Sequence, residues 1–373
     1  MGVLGAVSKL VALVAVAVGT IGKVKPELFL KLPMGFIPWA ITGNFVPPYF
    51  DNAFYKSESF RDWVRDGDVI VSVGAKSGTT WMCFCADAIR RKGAAGAAAE
   101  AAGLLPYTDI MFTTPWIEMT QAPGQTWAER EVFYKTHVFA DGTKLVDYWD
   151  NAAYPFRVFK SHMTPDTVPS GMPYSEMLPV TTYPKVKYVT MVRNGYDVSK
   201  SMFYFFKRHR SAFQSDWGSF PPHYPSVEDC VKDLLPGGNI YSLYFPYVKA
   251  WWALKDEPNV LLMHYSDAVK DHGKLIATLA AFYGVSLTGA EEAAVAATCS
   301  KDHMKAHASV FDYVLPMAPH VGKVMEPGSF INPRDVSAET ISPETAAAWE
   351  AAVVAEFDDP KLRVWAADGG ATF

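Results

Sequence analysis

A short β-branched run that empties into a loop of small and hydroxylated residues constrains this chain more than any other feature. The run is GDVIVSVG, Gly67 to Gly74, bounded by glycines and read as a buried strand. The loop AKSGTT follows, and TTWMCFCADAIRRKG reads as a helix. Thr79 and Thr80 stand at its start. Arg90, Arg91 and Lys92 are placed to complement the dipole at its end, ahead of Gly93. A strand, a glycine turn and a helix N-terminus together make an anion site. The first amide groups of the helix have no internal partner, and the dipole favours negative charge. Gly74 and Gly78 let the backbone approach a ligand. Lys76 brings a charge, and Ser77, Thr79 and Thr80 bring hydroxyl groups.

The loop departs from the nucleoside-triphosphate pattern G-x-x-x-x-G-K-[ST]. Lys76 precedes Gly78, and three residues separate the two glycines instead of four. A lysine on the loop tip meets a shorter phosphate chain, near the atom that leaves.

Further along, FRVFKSH (Phe156 to His162), KVKYVTMVRN (Lys185 to Asn194) and NVLLMHYSD (Asn259 to Asp267) read as strands. GYDVSKSMFYFFKRH and KLIATLAAFYG read as the helices after the last two. Strands alternating with helices predict an α/β fold, a single domain with a central parallel sheet flanked by helices. Ligands then bind beyond the carboxyl ends of the strands. Half of the 373 residues are hydrophobic and 14% are aromatic, which supplies a large core. The net charge of −5, with no long basic run, argues against a nucleic-acid partner. Cys83, Cys85, Cys230 and Cys299 form no CxxC pair and read as small buried apolar residues; the C-x-C pair is expected to point to different helix faces. GAAGAAAEAAG (Gly93 to Gly103) is low-complexity alanine, read as a helix extension or a surface insertion.

The N-terminus is of another kind. From Val3 to Ile21 only Ser8, Lys9 and Thr20 interrupt an apolar run. Its length is near the lower limit of a membrane span. A signal-peptide core, a membrane anchor, an interfacial helix and a helix docked on the core all stay open. Gly2 invites N-myristoylation, but Ala6 stands where Ser or Thr is wanted. The chain thus divides into a hydrophobic segment (1–22), an irregular connector rich in proline and aromatics (23–65) and the main domain (66–373).

AKSGTTW, Ala75 to Trp81, resembles the PKSGTTW loop of the soluble sulfotransferases, with Ala75 in place of the proline. YVTMVRNGYDVSKSMFYFF is similar to that family's second phosphate segment, and RVFKSHMTPDTVP (Arg157 to Pro169) to its RxxKTHLPxxxLP segment, with Ser161 at the usual threonine. The resemblance implies 3′-phosphoadenosine 5′-phosphosulfate as the donor cosubstrate, with no metal. It implies that Lys76, Ser77, Gly78, Thr79 and Thr80 hold the 5′-phosphate. Arg193 and Ser201 would bind the 3′-phosphate, and Trp81 would stack on the adenine. His162 would be the general base, and Lys160 and Lys76 the catalytic lysines that stabilise charge on the leaving phosphate and the transferring sulfuryl group. Residues 160 and 162 of a strand share a face, so both can serve one reacting centre. YKTHVF contains a literal Lys135-Thr136-His137, but no proline follows it, and His162 is preferred.

Looser echoes extend to Gly328. YFPYVKAWW and NVLLMHYSD are similar to family segments that would make Tyr265 an adenine contact, a place where a core aromatic is an equal reading. In TCSKDHMK, Ser300 matches, while Cys299 and Lys301 replace the family's threonine and stacking phenylalanine. In HVGKVMEPG, Gly322 matches the family's last phosphate loop, His320 and Val321 replace its basic pair, and Lys323 is the candidate substitute.

The expected function is transfer of a sulfuryl group to a hydroxyl of a small-molecule acceptor, in the cytoplasm unless residues 1–22 direct membrane association or secretion. A P-loop kinase of small molecules and a non-catalytic nucleotide-binding protein are the alternatives. Phe112, Trp116, Tyr204 and Phe205 line the acceptor pocket or pack the core; the sequence serves both. Acceptor identity and oligomeric state are not written in it.

Overall fold

The computed structural model describes residues 54–108, 110–121, 125–168, 176–216, 221–312, 314, 315, 317, 322–331 and 340–370. The hydrophobic segment 1–22 and most of the connector lie outside the described residues, as do His320 and Val321.

Four strands form one parallel sheet: β1 (Val69–Ser72), β2 (Val158–Ser161), β3 (Lys187–Val192) and β4 (Val260–His264). Their order is β2-β1-β3-β4, all parallel. The chain therefore leaves β1 toward one side and later crosses to the other. The point of reversal is the carboxyl end of β1, where the Gly74 loop begins and where open α/β sheets bind ligands.

Period-two alternation divides the core into a layer on each face. Val69 and Val71 of β1 and Val73 just beyond it, with Val158, Val189 and Met263, face α1 (Thr79–Arg90) and α4 (His272–Tyr283). Ile70, Phe159, Tyr188 and Leu262 face α2 (Gly195–Lys207) and α3 (Phe245–Ala253). Burial on both faces is why these strands read as near-continuous apolar runs. The last turns before the sheet belong to the same packed unit. Phe54–Lys56 is a 3-10 turn, Glu58–Trp63 is helical, and Phe54, Tyr55, Phe60 and Trp63 are buried.

α1 bears out the sequence reading of its cysteines and departs from the reading of its arginines. Cys83 and Cys85 are both buried, because α1 is covered nearly all round by the sheet, α4 and the helix Gly289–Thr298. Burial pushes the Cys83 thiol up to about 12, so it is an inert packing group. Arg90 and Arg91 do not solvate the helix end. Both are buried against Asp87, at 2.6 Å each, and Arg90 also donates to the Thr113 and Tyr148 carbonyls. Only Lys92 of that basic run is exposed. The alanine-rich stretch forms one short helix, Gly96–Ala101. Between His162 and Arg193, Glu176–Leu178 pairs in parallel with Thr164–Pro165.

β1 and β2 are clamped at both ends. At the start, Arg157 grips Asp68 with two bonds of 2.8 and 2.6 Å, both side chains buried. At the finish, Ser72 Oγ donates to the Met163 carbonyl at 2.7 Å. The register Val71↔Lys160 and Ser72↔Ser161 delivers Lys160 and His162 beside the Gly74 loop.

Candidate active site

The loop after β1 is held open for a ligand by its backbone. Gly78 has φ 102°, in the left-handed region that glycine tolerates. It caps α1 without any side-chain acceptor, leaving the first amides of that helix for an incoming anion. A Cβ on Gly74 would come within 3.1 Å of Tyr247 and 3.3 Å of the Met191 carbonyl. Lys76 has φ 59°, a strained conformation for a side-chain-bearing residue and one that recurs at ligand sites. Ser77 is buried, Thr79 is buried and Thr80 is partly so.

Lys76 lies with Nζ 3.6 Å from the centroid of Phe205. Burial and then the positive charges of Arg208, Lys160 and Arg193 push its ammonium down to about 7. The charges that act on Lys76 are thus all cations. A cluster of this kind at a helix N-terminus is matched by a ligand with several negative charges.

Arg193 follows β3 directly. Its guanidinium carbon lies 4.7 Å from the Tyr265 ring, and Nη2 reaches Asp197 at 3.1 Å. Arg193 Nε is buried with no hydrogen-bond partner among the described residues. Asp197, Ser201 and Phe205 lie four residues apart on α2 and share one stripe. Buried Ser201 therefore stands between the residue that touches Arg193 and the ring that carries Lys76.

Tyr265 ties the motifs together. Its ring would meet a Cβ on Gly78 at 3.4 Å and stands edge-on to Trp81 at 5.9 Å. Trp81 is anchored by Nε1 donating to the Cys299 carbonyl at 2.9 Å.

At the end of β2, His162 Nδ1 lies 2.7 Å from the Val73 carbonyl oxygen. A carbonyl only accepts, so Nδ1 carries the hydrogen and Nε2 keeps its lone pair. Burial, then Lys160, with Lys76 a smaller contributor, pushes His162 down to about 3, so the ring is neutral. Lys160 Nζ is 3.7 Å from the Trp116 ring, and the His162 ring stands edge-on to the same indole at 5.0 Å. His137 is elsewhere, capping the helix Trp127–Thr136 and packing on Phe133 and Phe139.

The family model for the sulfotransferase domain matches residues 66–321, more than half of the chain. The chain belongs to the sulfotransferase family. Human Sulfotransferase 1E1 is 26% identical over 236 residues. That match covers 63% of this chain and 63% of the human protein, so it spans less than two thirds of that relative's length. Retinol dehydratase in complex with retinol and PAP superposes with a TM-score of 0.54 at 19% identity, over 82% of this chain and 84% of that one. Mouse sulfotransferase SULT7A1 complexed with PAP gives 0.51 at 18%, over 81% and 88%. At these identities the structures speak for a shared fold.

Within this sulfotransferase domain, two of the far positions have other employment. Ser300 caps the helix Lys301–Ala306, accepting from His303 N and donating to the Ala297 carbonyl. Lys323 is paired with Asp312 at 2.9 Å and is not among the charges that act on Lys76. Gly322 has φ 66°, and a Cβ there would lie 3.9 Å from Arg210 Nη1. The cation that the sequence reading missed is Arg208. It bonds the Ser329 carbonyl at 3.2 Å and is the first of the charges acting on Lys76. Its only sequence signal is the basic run KRHR at the end of α2. Among the described residues no group of three or more His, Cys, Asp or Glu could hold a metal, and no helix is long and apolar enough to cross a membrane.

Proposed function

We propose that this sulfotransferase-family protein moves a sulfuryl group from 3′-phosphoadenosine 5′-phosphosulfate to a hydroxyl of a small-molecule acceptor, with His162 as general base. The observation that carries the reading is His162, its Nδ1 held by the Val73 carbonyl and its Nε2 left as the acceptor, close to the cations Lys76, Lys160, Arg193 and Arg208 at a helix N-terminus.

The residues present fit the donor. Lys76 and the α1 amides suit a 5′-phosphate. The unpartnered Arg193 Nε and the nearby Ser201 suit a second phosphate. Trp81 and Tyr265 offer aromatic faces for a base. The bound donor supplies an electrophilic sulfur whose leaving group is a phosphate. His162 Nε2 accepts the acceptor hydroxyl's proton as the oxygen bonds to sulfur and the bond to the leaving phosphate oxygen breaks. The Lys76 and Lys160 ammonium groups stabilise the charge that grows on those oxygens. Residues 66–373 are proposed as the catalytic domain, and residues 1–22 as a segment that sets location.

The test is incubation of the purified protein with sulfur-labelled donor and a panel of phenols and alcohols. Labelled product carries the reading. Binding of the bisphosphate with no product from any acceptor would favour a non-catalytic nucleotide binder, consistent with the employment of Lys323 and Ser300. Binding of a nucleoside triphosphate with magnesium would favour a kinase.

A further inference from the structure

We infer that Glu118 is a positioning residue for this site, aligning Lys160 and His162 from the opposite face of the sheet; the inference rests on the sulfotransfer reading above. Glu118 is fully buried and no motif points to it. Its Oε1 accepts from Ser161 Oγ at 2.6 Å and from Trp116 Nε1 at 2.9 Å, and Oε2 accepts from Tyr55 OH at 2.9 Å. The bond to Ser161 fixes the residue between Lys160 and His162. Successive strand residues point to opposite faces, so a hold on Ser161 sets the aim of both neighbours. The bond to Trp116 fixes the indole that carries Lys160 on its face and His162 at its edge. One carboxylate therefore controls both the strand and the ring that define the spacing of the two groups. Lys160 N donates to the Pro115 carbonyl at 3.0 Å, which brings the Trp116–Glu118 segment against β2.

The chemistry of the donors predicts a graded response. An indole N–H can only donate, so a glutamine amide oxygen must take the Trp116 and Ser161 side. Its amide nitrogen then faces Tyr55, whose hydroxyl can accept. Glu118→Gln keeps two of the three bonds as they are and reverses the third, now between neutral partners, and Glu118→Ala keeps none.

The experiment compares wild type, Glu118→Gln, Glu118→Ala and Tyr55→Phe in the full chain by two readouts. The first is the NMR titration of the His162 ring in ligand-free protein, assigned with His162→Ala; the charges acting on this ring are those of Lys160 and Lys76. Glu118→Ala should raise its midpoint as Lys160 moves away, and Glu118→Gln should raise it less. The second is kcat against the Kd of 3′-phosphoadenosine 5′-phosphate. Misplacement of reacting groups by an ångström costs on the order of 100-fold, so kcat should fall roughly 10- to 100-fold in Glu118→Ala while Kd stays put. Folded variants with the wild-type His162 midpoint and kcat overturn the inference. If wild type shows no turnover, the proposed function fails and the titration still decides Glu118. If Glu118→Ala does not fold, Tyr55→Phe carries the test: a smaller rise supports the inference and no rise overturns it.

Discussion

Val73 and His162, the first residues beyond two neighbouring parallel strands, are joined by a 2.7 Å hydrogen bond from His162 Nδ1 to the Val73 carbonyl. The bond selects the tautomer with a basic Nε2 and ties the candidate base to the strand that carries the phosphate loop.

Replacing His162 with alanine should lower kcat by about 10²- to 10⁴-fold, the usual worth of a general base. The Kd for the bisphosphate product should change little. Steady-state kinetics with calorimetry separates the two, and unchanged turnover would sink the role.

The pH profile of kcat/KM for the donor should be shifted at both limbs. The free-protein limbs report His162, lowered to about 3, and Lys76, lowered to about 7. Activity should persist well below pH 6.5, because His162 stays neutral there. It should decline above pH 7, as Lys76 loses its charge. A profile with an acid limb at the ordinary histidine value would contradict the arrangement.

Binding of the bisphosphate at pH 8 should take up a proton. Free Lys76 is largely neutral at that pH, and an anion beside it raises its pKa toward the ordinary lysine value. Uptake should approach about one proton per site. Calorimetry in buffers of different ionisation enthalpy reads it directly. Lys76→Met should abolish the uptake.

Arg193→Lys should weaken bisphosphate binding roughly 10- to 100-fold, the worth of about 1.5–3 kcal/mol for a hydrogen bond to a charged group. The lysine has no counterpart of the guanidinium fork or of the unpartnered Nε. Adenosine 5′-phosphate, which lacks the 3′ group, should bind both proteins alike.

Asp87→Ala should destabilise the fold by about 3–5 kcal/mol, because it strands Arg90 and Arg91 in the interior. Urea denaturation reads this. A small loss would mean that the many carbonyl partners of Arg90 carry the pair unaided.

The sheet and the residues gathered at the candidate site were legible because their signals are local. Strand alternation, the glycine loop and the residues that end β2 and β3 sit in stretches of a dozen residues or fewer. Partners far apart in the chain were not legible. Glu118 meets Ser161 across 43 positions and Tyr55 across 63, and a lone buried glutamate has no periodic signature. Arg90 and Arg91 at a helix end look like dipole partners until the chain folds over them. The loose echoes were ambiguous for another reason: the Ser300 hydroxyl and the Lys323 ammonium find satisfaction within their own loops. His320 and Val321, which replace the family's basic pair, lie outside the described residues.

The β1–β2 register has a consequence for how such a chain can change. Arg157 with Asp68 at one end, and His162 with Val73 at the other, lock the two strands directly to each other. A slip of one residue would exchange Lys160 and His162 for Ser161 on the face they share beside the Gly74 loop. The long excursion between α1 and β2 is tied to the strand at Pro115–Glu118, to Arg90 through the Thr113 and Tyr148 carbonyls, and to the core through buried Trp127, Tyr134 and Trp149. Its exposed turn at 140–142 can vary without touching any of these ties. Length and sequence can therefore change at that turn while the spacing of Lys160 and His162 stays as the two strands set it.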